Sequence, residues 1–349
     1  MATSTLTIQN EVISTTMHIL MDEWRDGLSQ AVAFLDAQNR VHSEGQPSQD
    51  GGSQMVVPLA LNNHSTTTRI QTGFERIDLT VQDVFVPAQY GWGHVVRPVA
   101  ISSEEEFVNQ GDSQVISILE ARTRMTANEL KRQFSEQMSV GGVTGWEDWE
   151  TLNGIPAAAT GFLEDRAVSA QTNTVGGVNK GTYSGTTGWQ HQFASGGTIS
   201  TAGNFNNNGL ASLYDVLVEI RSVSADGDPD IILASREGFK NLKRSLSAQE
   251  RYVDQAAIDG GRMIQTWDGI QIAVDRFLPG TDVTSAISFY FLNLKDIHCT
   301  WSPQGYFDLS DFQTVSGEYD VRAAKMRTRG QLVAKHLGSS ALVVNLDTF

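Results

Sequence analysis

"TVGGVNKGTYSGTTGWQHQF", residues 174–193, carries glycines at 176, 177, 181, 185 and 188, a lysine (Lys180) and a scatter of hydroxyls. Glycine with lysine is the raw material of a phosphate cradle. A P-loop, however, needs two glycines with four residues between them, followed directly by Lys and then Ser or Thr. Here the order is "NKGT", with the lysine before the glycine, and no clean strand leads in. The glycine pair in "GWGHVV", at 91–96, lacks the third glycine of a dinucleotide fingerprint. The stretch therefore reads as a glycine-rich loop packed under an aromatic side chain, Trp189.

The rest of the chain offers no better catalytic set. "DGDPDIILASRE" puts Asp226, Asp228, Asp230 and Glu237 where a calcium loop holds ligands, but the position that must be glycine is Ile231, inside an apolar run. The seven histidines are dispersed, with no helical pair spaced for zinc. "GTYSGT" lacks the glycine two before the serine that a nucleophile elbow requires. Cys299 is the only cysteine, which excludes an internal disulfide, reads as a buried thiol and fits a reducing compartment. The expectation is a protein with no enzymatic activity, no cofactor and no metal.

A formal charge of −15 over 349 residues argues against a dedicated nucleic-acid binder, which needs cations to replace phosphate counterions. No apolar run approaches the roughly 20 residues of a membrane span. The start, "MATSTLTIQNEVIS", has no secretory signature. A soluble, acidic protein made in a cytoplasm is expected.

Residues 1–53 read as an acidic arm around one helical stretch, "NEVISTTMHILMDEWRDGLSQAVAFLD". Residues 54–98 alternate with period two and predict a long β-hairpin turning near Thr72 and Gly73, with a bulge at Gln82–Asp83. Such a ribbon has little of its own chain to pack on. Over 103–139 a helix is expected, opened by a Ser103–Glu106 capping box and restarted at Asp112. Its stripe is Ile118, Leu119, Met125, Leu130, Phe134 and Met138, and Gly141 and Gly142 end it. Beyond 150, loops give way to helices at "GLASLYDVLVEIRS" and "SREGFKNLKRSL" and strands at "PDIILAS", "GIQIAVDRF" and "ISFYFLN", then two strands around Gly338. Without a strict βαβ rhythm, this is an α+β chain.

Charge is unevenly placed. Between Asp320 and Phe349 five cations (Arg322, Lys325, Arg327, Arg329, Lys335) face two acids, whereas the first fifty residues carry seven acids against Arg25 and Arg40. An acidic arm of one copy meeting basic strands of another is the reading. Arg327 and Arg329, with Arg69 and Arg76 on the ribbon, are the candidate subunit-interface residues.

The order of the pieces resembles the major capsid proteins of tailed bacteriophages, the Hong Kong 97-type fold. "GVTGWEDWETLNGIPAAA" is similar to the family's segment after the spine helix, and "TVGGVNKGTYSGTTGWQHQF" to its Gly-Gly run before a tryptophan. "PDIILASREGFKNLKR" resembles the strand and helix of its axial domain, and "RGQLVAKHLGSSALVVN" its closing strands. The resemblance implies an N-terminal arm (1–53), an extended loop (54–98), a peripheral domain with the spine helix (99–142), an axial domain (143–298) and closing peripheral strands (299–349). It also implies hexamers and pentamers forming an icosahedral shell around double-stranded DNA held without specific binding, in a virion assembled in a bacterial cytoplasm, with no membrane. No charged coiled coil precedes the arm and the chain begins with methionine, so a separate scaffolding protein is expected, with a portal and a decoration or cement protein. Two rivals stand beside it: an encapsulin-like compartment shell, and a nucleotide-dependent enzyme using residues 174–193.

Overall fold

The computed structural model describes residues 33–42, 47–62, 66–71, 73–77, 79, 83–108, 118–153, 161–183, 188–195, 205–224, 227–248, 255–259, 262–278, 287–303, 305–314 and 320–346. The first helix, α1 (Ala33–Val41), buries Phe34, Leu35, Ala37 and Gln38. Most of the helix expected in the arm, residues 10–32, lies outside the described residues. Strands β1 (Met55–Ala60) and β2 (Phe85–Tyr90) pair antiparallel, with Pro58 opposite Pro87. Neither proline can donate, so this is a non-hydrogen-bonded pair whose missing N–H groups face outward, which blunts both edges of the ribbon.

The expected long hairpin is corrected here. Pairing covers only six residues a side, and the described residues from 66 to 79 are not strand. The apolar side chains farther out, Ile70, Phe74, Ile77 and Leu79, are exposed, so alternation alone does not hold a ladder there. The turn residue Thr72 and bulge residue Gln82 lie outside the described residues. Strand β3 (Gly93–Ser102), expected as part of the ribbon, leaves it for another sheet.

Helix α2 (Ser103–Val108) starts one residue from where the capping box was expected. Ser102 is the cap: its Oγ accepts the Glu105 N–H at 3.2 Å, and Glu105 Oε2 accepts the Ser102 N–H at 3.1 Å. Ser103 Oγ instead bonds Asp320 at 2.6 Å, and Glu106 pairs with Arg322 at 3.1 Å. Glu105 also takes both ends of the Arg122 guanidinium at 2.9 Å, tying α2 to α3 (Ile118–Ser139). Gly111 and Asp112 lie outside the described residues. Along α3, Ile118, Leu130, Phe134 and Met138 are buried, but Met125 is 41% exposed, so the expected stripe is only partly covered by its own chain.

There follow a two-residue hairpin, β4 (Thr174–Val175) and β5 (Val178–Asn179), then β6 (Gln192–Ser195) and α4 (Leu210–Val223), the last entered through a π-helical turn. Strand β7 (Ile231–Ala234) leads through a Ser235 cap into α5 (Arg236–Ala248). Next come β8 (Gln255–Asp259), β9 (Arg262–Trp267), β10 (Ile270–Val274), β11 (Ile287–Leu292) and β12 (Ile297–Trp301). The short β13 (Asp308–Leu309) and β14 (Gln313–Thr314) precede β15 (Val321–Ala334) and β16 (Ala341–Val344).

Two sheets organise the molecule. The seven-stranded sheet runs β6-β16-β11-β7-β10-β9-β8. Its central strands are buried on both faces, which is why they read as unbroken apolar runs. Ile231, Leu233, Tyr290, Leu292, Leu342 and Val344 face one core; Ile232, Ala234, Phe289, Phe291, Ala341 and Val343 face the other, under Leu213, Leu217 and Ile220 of α4 and Leu242 of α5. In the second sheet β15 is the spine: one edge pairs with β3 over Val321–Gly330, and the other with β14, β13 and β12 in turn. At Gly330 the chain passes so close that an added Cβ would lie 2.6 Å from Thr300 O. The two expected strands around Gly338 exist, but they belong to different sheets.

The larger core is aromatic. Phe134 meets Trp146, Trp149, Trp301 and Phe307 with centroids 5.5–6.1 Å apart. Gln38 fastens α1 to this core by mimicking a strand partner of Cys299, donating to its carbonyl at 2.8 Å and accepting its N–H at 3.0 Å. Cys299 itself is a buried thiol within β12, as expected.

Candidate assembly surfaces

Gly176 and Gly177, with φ of +56° and +78°, form the two-residue turn between β4 and β5. A Cβ on Gly176 would fall 2.8 Å from the Tyr90 ring, and Gly176 O accepts the Gln89 N–H at 2.8 Å. The glycines therefore seat the root of the exposed ribbon. Lys180 is fully buried: its Nζ donates to Phe162 O at 2.5 Å and lies 3.3 Å from Glu164 Oε1. Glu164 also accepts the backbone N–H groups of Asn173 at 2.7 Å and Thr172 at 3.1 Å. Burial pulls the Lys180 ammonium below its ordinary range, and Glu164 opposes that pull. Trp189 closes the cluster, donating to Val178 O at 3.3 Å. With its one lysine locked inside, the stretch has no cation to offer a phosphate; the aromatic-covered loop expected from the sequence is what forms.

The calcium arrangement fails as well. Asp228 pairs with Arg221 at 2.5 Å, Asp230 accepts the Leu294 N–H at 2.8 Å, and Glu237 pairs with Lys240 at 2.7 Å, so the carboxylates diverge. Asp226 lies outside the described residues.

The ribbon exposes Phe74 (95%), Leu79 (85%), Phe85 (69%), Ile70, Ile77 and Val56. Isolated apolar side chains on a surface are ordinary; six on one projecting segment mark a contact surface. Glu75 braces the tip, accepting the N–H groups of Gln71 at 3.0 Å and Gly73 at 3.1 Å, which holds Phe74 out. Arg69 and Arg76 are exposed on the same segment.

Arg327 and Arg329 stand elsewhere. With Lys325 they alternate outward along β15, opposite Pro98, Val96 and His94 of β3, while Ala324, Met326 and Thr328 turn inward. Asp308 lies 3.8 Å from Arg327. The result is an exposed sheet face with a basic ridge.

Sequence reasoning missed the Lys180–Glu164 pair, since sixteen residues and no pattern link its halves. It also missed Glu150, whose Oε2 is buried without a hydrogen-bond partner and whose carboxyl burial lifts from 4.5 to about 7. A carboxyl raised in the folded state binds more protons there than in the unfolded chain. Its cost to stability is therefore absent below pH 4.5 and grows as pH climbs to 7. Glu150→Gln should flatten that window and raise unfolding free energy at pH 8 by about 1–3 kcal/mol. Urea melts of the unassembled chain at pH 4.5 and 8 would check this, and equal pH dependence in both proteins would sink it.

No family model and no curated protein matches the sequence. Solved structures do match. The chain is similar to the cyanophage A-1(L) capsid at 16% identity and a TM-score of 0.63, over 94% of this chain and 96% of that one. It is similar to the capsid of an empty GTA particle at 11% identity and a TM-score of 0.61, over 95% of each. It is also similar to the holo-SrpI encapsulin complex from Synechococcus elongatus PCC 7942 at 11% identity and a TM-score of 0.53, over 93% and 92%. The chain thus has an α+β shell-protein fold. That fold is the Hong Kong 97-type fold of tailed-phage major capsids, as the sequence resemblance implied.

Proposed function

We propose that this chain is the major capsid protein of a tailed phage, its copies forming hexamers and pentamers of an icosahedral shell around double-stranded DNA. The observation that carries the reading is end-to-end overlap with phage capsid subunits, at least 93% of both chains, joined to a ribbon whose apolar side chains are exposed in a single copy. Residues 1–53 then act as the arm, 54–98 as the extended loop, 99–142 and 299–349 as the peripheral domain and 143–298 as the axial domain. The role is structural rather than catalytic. A separate scaffolding protein, a portal and a cement or decoration protein are its partners, and its place is the virion after assembly in the host cytoplasm. Overlap with the SrpI encapsulin favours a second reading, a cellular compartment shell. Electron microscopy of particles from the native source, with nuclease treatment, separates them. Closed shells holding nuclease-protected double-stranded DNA are expected; closed shells holding protein cargo and no DNA would favour the compartment.

In this reading the acidic arm of one copy docks on the basic ridge of another. Such rim charges are screened within about 8 Å at physiological salt, so assembly should weaken as salt rises. Reversing Arg327 and Arg329 to Glu should cut shell yield severalfold, whereas Lys240→Glu with Lys243→Glu should leave it near wild type. Equal yields from the two variants would refute the pairing.

A further inference from the structure

Helix α5 carries four cations in nine residues of a chain whose net charge is −15. Arg236, Lys240, Lys243 and Arg244 follow helical spacing and all are exposed. The opposite face is pinned to the seven-stranded sheet: Gly238, Asn241 and Leu242 are buried, and Asn241 donates to Leu346 O at 3.2 Å. Gly238 N–H is capped by Ser235 Oγ at 3.0 Å, so the basic face is presented by a rigid element about 20 Å long.

Helix stability alone does not account for this charge. Arg236 opens the helix, in the turn where the macrodipole disfavours positive charge. The pair Lys240–Glu237 is exposed and offsets little of this. Lys243 Nζ lies over the Phe239 ring, 4.9 Å from its centroid, a surface cation–π contact that leaves the charge in place. Helix α4, on the same side of the sheet, exposes Asp215 and Glu219, and its one exposed cation, Arg221, is held by Asp228 and Asp268, so among the described residues of these two helices the unneutralised positive charge lies on α5.

We propose that the exposed face of α5 is a sequence-independent contact for the phosphate backbone of double-stranded DNA. No Asn or Gln faces outward among α5's described side chains, which suits backbone positioning rather than base readout. A few weak contacts per subunit, repeated over a shell, order the outer DNA layer without a tight site in any one copy. The inference rests on the capsid reading and names the surface by which the shell meets its contents.

The test is fluorescence anisotropy of a labelled 24-base-pair duplex of random sequence with the full-length, unassembled chain. Neutralising about three phosphates predicts a roughly 40-fold loss of affinity between 50 and 200 mM salt. Lys240→Glu with Lys243→Glu should weaken binding at 50 mM at least about tenfold and still assemble, while Arg327→Glu with Arg329→Glu should bind DNA like wild type. No wild-type binding at 50 mM, or equal losses in both variants, would overturn the proposal. So would failure of the α5 variant to assemble, which would make this face a contact for an acidic surface of another copy. If particles from the native source are not shells of this chain, the capsid reading fails, and the titration still decides whether α5 binds DNA.

Discussion

Excising residues 63–82 and closing the gap with an Asn-Gly turn should abolish closed shells while the subunit folds as before. Asn62 and Asp83 are the natural points of closure, because Asn62 Nδ2 donates to Asp83 O at 3.0 Å and the Asn62 N–H reaches Val84 O at 3.4 Å. The excision spares Met55, Leu59, Leu61 and Tyr90, which are core residues. It removes Phe74, Leu79, Ile70 and Ile77, each worth about 1.5–3 kcal/mol when buried against a neighbour. Summed over the contacts of a shell, that loss exceeds what a marginal lattice tolerates. Electron microscopy and size exclusion should find monomers or small capsomers, and the melting transition should stay within about 1 kcal/mol of wild type. Shells of normal size from the shortened protein would show that the ribbon does not join subunits.

Lys180→Ala should cost about 3–5 kcal/mol of unfolding free energy, the largest stability effect of any single change here. The substitution leaves Glu164 buried with only its two backbone N–H donors, strips Phe162 O of its donor and opens a cavity where the fully buried side chain lay. Lys180→Met with Glu164→Gln should recover much of the loss, since volume is kept and no charge is stranded. Because this cluster backs the turn that seats Tyr90, the alanine variant should also assemble poorly. Urea melts of the three proteins decide the matter: a loss under about 1 kcal/mol for Lys180→Ala would mean the pair is not what holds this region.

Much of the architecture was legible because it is written in local chemistry. Apolar runs at 231–234, 287–292 and 341–344 announced strands buried on two faces, and the cap at Ser235 announced α5. The capping box was legible in kind but shifted by one residue. "SSEEE" offers two serines with glutamates three later, and only the pairing of Ser103 with Asp320, 217 residues away, selects Ser102 as the cap. The basic face of α5 was readable from spacing alone, since a net charge of −15 says nothing of where the cations sit.

The ribbon marks the boundary of such reading. Alternation runs from 77 to 81 and resumes after the slip at 82–83, yet among the described residues of 74–86 only 85 and 86 join a ladder. A strand needs a partner edge and a face to bury, and neither is encoded within the segment. By itself the sequence determined the element types, the absence of a P-loop and the α+β class, since those follow from periodicity, caps and motif spacing within a few residues. Only the tertiary structure decided that Lys180 is buried against Glu164, that β15 and β16 part at Gly338 into different sheets, and that Phe74 stands in solvent. Each of those depends on which distant segments meet, and burial is a property of that meeting rather than of any residue in it.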